Sequence, residues 1–154
     1  MAMEKTTLKE GVLEAARARM QATADELRER IKDLHAVTIG DDNAESASQT
    51  ESTHGSDVEL MNSLSEQLEH LQQDLDRLEQ IDPHTKLPSI QYGAMVRTDK
   101  RNFLIAASVE EFQVQDIPFL GVTPRAPLIQ AMLGKKAGDS VTFNGIVYNI
   151  VEVY

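Results

Sequence analysis

The segment from Ile39 to Leu60, "IGDDNAESASQTESTHGSDVEL", holds the carboxylates Asp41, Asp42, Glu45, Glu51, Asp57 and Glu59 and no Lys or Arg. His54 beside Asp57 and Glu59 is a donor set of the kind that takes a transition metal. None of His35, His54, His70 and His84 falls in a ligand spacing such as HExxH, however, and no zinc site is assigned. Ser56 to Glu59 also fits the S-x-x-E pattern of a capping box, which accounts for Asp57 and Glu59 at a helix start without any metal. Asp41, Asp42 and Glu45 fit a solvated loop equally well. The chain has no cysteine, hence no thiolate ligand, Cys nucleophile or disulfide framework. Neither a GxxxxGKS/T phosphate loop nor a GxGxxG after a strand occurs. "LGKKAGD" reads as a helix end and a turn, with Lys135 and Lys136 on the surface.

The elements that carry the acidic stretch are leucine-patterned on both sides. Met20, Ala24, Leu27, Ile31 and Leu34 are spaced 4, 3, 4, 3, and Met61, Leu64, Leu68, Leu71, Leu75 and Leu78 are spaced 3, 4, 3, 4, 3. This is the seam of a coiled coil. Leu8, Val12 and Ala16 extend the first stripe towards the N-terminus. Each helix has one narrow apolar stripe and therefore needs a partner. The nearest partner is the other helix, folded back antiparallel around a tip loop at about 37–57; a parallel homodimer would use the same seams. A loop of that length is usually functional or disordered, which makes the tip a place to look for function. Arg17, Arg19, Arg28, Arg30 and Lys32 on the first helix alternate with Glu14, Asp25, Glu26, Glu29 and Asp33, as expected for i to i+4 pairing on a wet face.

At 154 residues, 41% hydrophobic and 26% charged, the chain is long enough for one modest core or for a small domain plus an extended element. The net charge is -10, unevenly spread: residues 1–82 carry 8 basic and 19 acidic side chains, residues 83–154 carry 7 and 6. All the aromatics lie in the second part, from Tyr92 to Tyr154. An acidic first half without aromatics repels a phosphate backbone, which argues against direct binding of duplex DNA. No apolar run reaches membrane-spanning length, and "MAMEKTTLKE" has no apolar signal core. A soluble, cytoplasmic monomer without membrane contact is expected.

Near "IDPHTKLPSIQYG" the organisation changes. Pro83 and Pro88 end the second helix and mark a linker at 83–89. The runs "AMVRT", "NFLIAAS", "EFQVQ" and "SVTFNGIVYNIVEV" then read as short strands, the last with Asn144-Gly145 as a two-residue hairpin turn. Between them, "TPRAPLIQAMLGKKAGD" reads as a short helix with Pro127 in its first turn and Gly134 just past its end. The fold class is α+β: a helical hairpin over 1–82, then a small antiparallel sheet domain with one short helix over 90–154.

The block Gly121 to Tyr154, "GVTPRAPLIQAMLGKKAGDSVTFNGIVYNIVEVY", resembles the C-terminal domain of the GreA/GreB transcript elongation factors, whose run is "SP-x-APL…LLGK-x-x-GD-x-V…Y-x-I-x-x-I". "YGAMVRT", Tyr92 to Thr98, resembles the opening strand of that domain, and the order of parts agrees. The resemblance implies an FKBP-like sheet domain that docks on RNA polymerase near its secondary channel, through the loop Thr123, Pro124, Arg125, Ala126 and Pro127, while an antiparallel coiled-coil hairpin enters the channel.

In the cleaving members of that family, acidic tip residues help hold a second Mg²⁺ and its water and promote hydrolysis of backtracked RNA. A hard cation takes carboxylate oxygens and waters, and two metals stabilise the attacking and leaving oxygens together. The family's "G-D-x-x-E-N-A-E-Y" tip has two partial counterparts here. "GSDVE", Gly55 to Glu59, makes Asp57 and Glu59 the leading pair; "GDDNAE", Gly40 to Glu45, puts Asp41 and Asp42 behind them. By the same resemblance the chain is expected to be a polymerase accessory factor with no enzymatic activity of its own. It would hold no cofactor tightly, share Mg²⁺ with the polymerase at Asp57 and Glu59, and touch the RNA 3′ end.

A version of this function occupies the channel and modulates or inhibits elongation without cleavage. Two readings from other classes remain. A prolyl isomerase or chaperone would need an aromatic-lined pocket drawn from Tyr92, Phe103, Phe112, Phe119, Phe143, Tyr148 and Tyr154, although these residues also suffice to fill a small core. A structural coiled-coil adaptor would dimerise through Leu64 to Leu78.

Overall fold

The structure is a computed structural model that describes the backbone of residues 2–40 and 47–154 and the side chains of residues 7–37 and 55–154. Two long helices, α1 (Ala2–Gly40) and α2 (Ala47–Glu79), precede six strands: β1 (Met95–Thr98), β2 (Asn102–Ile105), β3 (Val109–Val114), β4 (Ile117–Val122), β5 (Ser140–Phe143) and β6 (Ile146–Val153). A third, short helix, α3 (Pro127–Met132), lies between β4 and β5. No described helix is long and apolar enough to cross a membrane.

Packing divides the chain into two compact units, Met20–Leu75 and the combination of Met1–Arg19 with Asp76–Tyr154. This differs from a division at the 83–89 linker, because the first turns of α1 bury their apolar face in the unit that holds the sheet. In the helical unit the buried positions are Met20, Ala24, Leu27, Leu64 and Leu75, with Ile31, Leu34, Met61, Leu68 and Leu71 partly covered. Every one belongs to the stripes read from the heptad spacing. On the wet face Arg28 donates to Asp25 at 2.9 Å, at a spacing of three residues where the interleaved charges suggested four.

In the other unit the strands form one sheet in the order β3-β4-β2-β1-β6-β5. An antiparallel sheet is expected from the sequence, and here the structure differs: β2 and β4 run parallel, with Phe103 opposite Leu120 and Ile105 opposite Val122, so the sheet is mixed. The strand responsible, β4, has no strong sequence signal. Pro118 interrupts its apolar run, and the β3–β4 turn is made by Gln115 and Asp116, both at positive φ (53° and 65°) without a glycine. Pro118 is tolerated because its antiparallel partner is Gln113 of β3, while pairing with β2 begins only at Leu120. The Asn144-Gly145 turn forms as predicted, with φ of 51° and 77°, and joins β5 to β6 through the pair Phe143 and Ile146.

Both faces of the central strands are buried. Val96, Phe103, Ile105, Tyr148, Ile150 and Val153 form one core with Ile129 and Met132 of α3. Met95 and Leu104, which alternate with them on the opposite face, are also fully covered. Strands buried on two sides read as continuous apolar runs rather than as alternation, which is the character of "AMV" and "FLIAA". Leu8, Val12, Leu13 and Ala16 of α1 are buried in this same unit, and a Cβ on Gly11 would lie 2.9 Å from Val114 Cγ1 of β3. A bare backbone at position 11 lets helix and strand approach closely, which offsets the helix-propensity cost of glycine.

Candidate functional site

Asp57 and Glu59 lie within α2, Asp57 half-buried and Glu59 exposed. The structure thus corrects the capping-box reading: α2 begins at Ala47, so Ser56 is an interior helical residue with no free N-terminal amide to cap. The loop expected at about 37–57 is likewise helical up to Gly40 and again from Ala47. Asp41, Asp42 and Glu45 fall outside the described residues. Two positions apart on an α-helix means a rotation of about 200°, so Asp57 and Glu59 leave the helix on nearly opposite sides and do not face each other. Among the described residues no group of three or more His, Asp or Glu side chains converges as a metal would need.

The second candidate, Thr123 to Pro127, connects β4 to α3 and is held at both ends. The amide of Ala126 donates to the carbonyl of Thr123 at 3.1 Å, and that of Gln130 donates to the carbonyl of Ala126 at 2.9 Å. The Gln130 side-chain amide also donates to the carbonyl of Pro124. Pro127 occupies the first turn of α3, where its missing N–H costs nothing. Arg125 and Pro127 are exposed, and the others are half-buried. The result is a rigid loop presenting one guanidinium between two prolines. Behind it, Gly121 of β4 is packed so closely that a Cβ would stand 2.7 Å from the carbonyl oxygen of Ala107.

Of the aromatics that could line an isomerase pocket, Phe103, Phe112, Phe119, Tyr148 and Tyr154 are buried, and Phe112 and Phe119 stack on each other at 6.3 Å. Tyr92 is exposed. Most of these rings therefore serve as core.

A third cluster escaped notice in the sequence. Lys9 of α1 is fully buried, its Nζ 3.4 Å from the carbonyl oxygen of Thr85 and 5.7 Å from the centre of the Tyr154 ring. Burial lowers its pKa from 10.5 to about 8, against the opposing pull of the Asp82 charge. Next to it, Glu10 meets His84 at 3.0 Å. The turn Asp82 to Thr85 is tied by its own carboxylate, whose two oxygens accept the His84 N–H at 2.8 Å and the Thr85 hydroxyl at 2.9 Å. Those two hydrogen bonds hold the Asp82 carboxyl below its usual range. The available signal was phase: Lys9 stands in register with Val12, Ala16 and Met20, three, seven and eleven residues on, so its side chain had to enter the apolar face. Elsewhere, Asp99 accepts from both the backbone and the side-chain amide of Asn149, each at 2.8 Å; these bonds lower its pKa and pin the β1–β2 turn to β6.

No family model, curated protein or solved structure was found to match this chain.

Proposed function

We propose that the chain is a Gre-like transcription factor that binds RNA polymerase at the secondary channel. The observation that carries the proposal is the run from Gly121 to Tyr154, with its "TPRAPL", "LGKKAGD" and "VYNIVEVY" segments, which resembles the C-terminal domain of the GreA/GreB factors. In this reading the sheet is FKBP-like and the loop from Thr123 to Pro127 is the docking surface, its exposed Arg125 facing an acidic patch of the polymerase. α1 and α2 close as an antiparallel coiled-coil hairpin whose acid-rich connection enters the channel.

The activity has two versions. In one, tip acids and a Mg²⁺ shared with the polymerase promote cleavage of backtracked RNA, with Asp57 and Glu59 as leading ligands and Asp41 and Asp42 behind them. In the other, the tip occupies the channel and modulates or inhibits elongation without cleavage. The opposed directions of Asp57 and Glu59 on α2 favour the second version, since a hard cation is held by oxygens that converge.

The test begins with co-purification of the full chain with core polymerase, in which Arg125→Glu weakens binding by about tenfold. Failure of the unmodified chain to bind rejects the proposal. With binding established, the chain is added to a backtracked elongation complex in Mg²⁺. Unshortened RNA together with altered elongation identifies the occupying version. Shortened RNA that disappears with Asp57→Asn plus Glu59→Gln identifies the cleaving one.

A further inference from the structure

A cavity of ≈ 380 Å³, within the size range of small-molecule sites, is lined by Arg77, Gln80, Ile81, Thr85, Leu87 and Tyr92, with the buried Lys9 side chain in its wall. An ammonium has three donors. Here one meets the Thr85 carbonyl at a long 3.4 Å, and the Tyr154 ring face lies 5.7 Å away. Asp82, the carboxylate whose charge acts on Lys9, accepts hydrogen bonds from His84 and Thr85 on its two oxygens. Burying a cation with so little compensation is costly, and the lowered pKa of Lys9 reports that cost. A second cation, Arg77, lines the same cavity with no side-chain partner among the described residues, and the side-chain amide of Gln80 is equally uncommitted. Ile81, Leu87 and the exposed Tyr92 supply apolar wall. In a chain of net charge -10, this lining holds two cations against one carboxylate.

We propose that the cavity is a binding site for a small organic oxyanion, a carboxylate or phosphate monoester on a flat apolar body. Arg77 holds the charged head, Gln80 donates to it, the buried Lys9 ammonium attracts it from within the wall, and Tyr92 with Leu87 covers the body. The site is independent of the proposed polymerase contacts.

The experiment is an amide NMR titration of the full chain with benzoate, phenyl phosphate and the neutral control benzyl alcohol. One of the two anions produces saturable shifts at Gln80, Thr85, Tyr92 and Gly93 and raises the Lys9 pKa above about 8, while benzyl alcohol does neither. Whether benzoate or phenyl phosphate binds more tightly identifies the head group. Lys9→Met and Arg77→Gln each weaken binding by about tenfold or more. Arg77 is exposed, so its variant keeps the test decisive should Lys9→Met fail to fold. Absence of saturable shifts up to on the order of 10 mM, equal binding of benzyl alcohol, or unchanged affinity in Arg77→Gln overturns the proposal.

Discussion

At the scale of single residues, the most constrained positions are those where chemistry and burial oppose each other. Lys9 titrates at about 8 when folded against 10.5 when free, so between these values the unfolded chain binds more protons than the native one. The charged form is penalised fully below pH 8, and stability attributable to Lys9 rises as pH goes from about 8 to 10.5. Lys9→Met, of similar volume and uncharged, removes this dependence and unfolds at equal or higher denaturant concentration at neutral pH, because replacing a poorly compensated buried charge is neutral or stabilising. Paired denaturation curves for the two proteins across that window measure it, and parallel curves at every pH would refute the assignment. Gly121→Ala makes the opposite kind of conflict: its Cβ meets a backbone oxygen and Val109 Cβ, both at 2.7 Å, and neither is the end of a flexible side chain. A loss of roughly 1–3 kcal/mol in equilibrium unfolding is expected.

At the scale of elements, the two long helices are held by a few buried aliphatic side chains rather than by their charged faces. Surface pairs such as Arg28 with Asp25 each contribute about 0.2–0.5 kcal/mol, whereas truncating a buried leucine costs roughly 2–5 kcal/mol. Leu64, 2% exposed, is the most deeply buried of the described side chains of α2. Leu64→Ala therefore lowers the thermal midpoint of the helical signal in circular dichroism, while Glu66→Ala, on the exposed face, leaves it nearly unchanged. The heptad stripes made these helices and their buried positions legible in advance, since period and apolar type are local properties. The ends of the helices were less legible. The polar composition of 47–57 suggests a loop, yet α2 runs through it, because propensity is a weak prior that neighbouring helical turns override. In the sheet, Asn144-Gly145 announced its hairpin, whereas the Gln115-Asp116 turn did not, since both residues adopt positive φ without the glycine that marks such turns.

At the scale of the whole molecule, α1 serves two compact units: its residues through Arg19 belong to the unit that holds the sheet, and those from Met20 onward belong to the helical unit. The proposed docking loop and the proposed channel-entering tip lie in different units, so Arg125→Glu separates binding from whatever the tip does once bound.

The α+β class, the two apolar helical stripes, the β5–β6 hairpin and the loop before α3 were decided by the amino-acid sequence alone, because each rests on the type and spacing of residues close together in the chain. The parallel β2–β4 pair, the seating of α1 beside Val114 and Tyr154 and the cavity around Lys9 were decided only by tertiary structure. The physical reason is range: Lys9 and Thr85 are 76 residues apart, and no local pattern records which distant carbonyl a buried ammonium will meet.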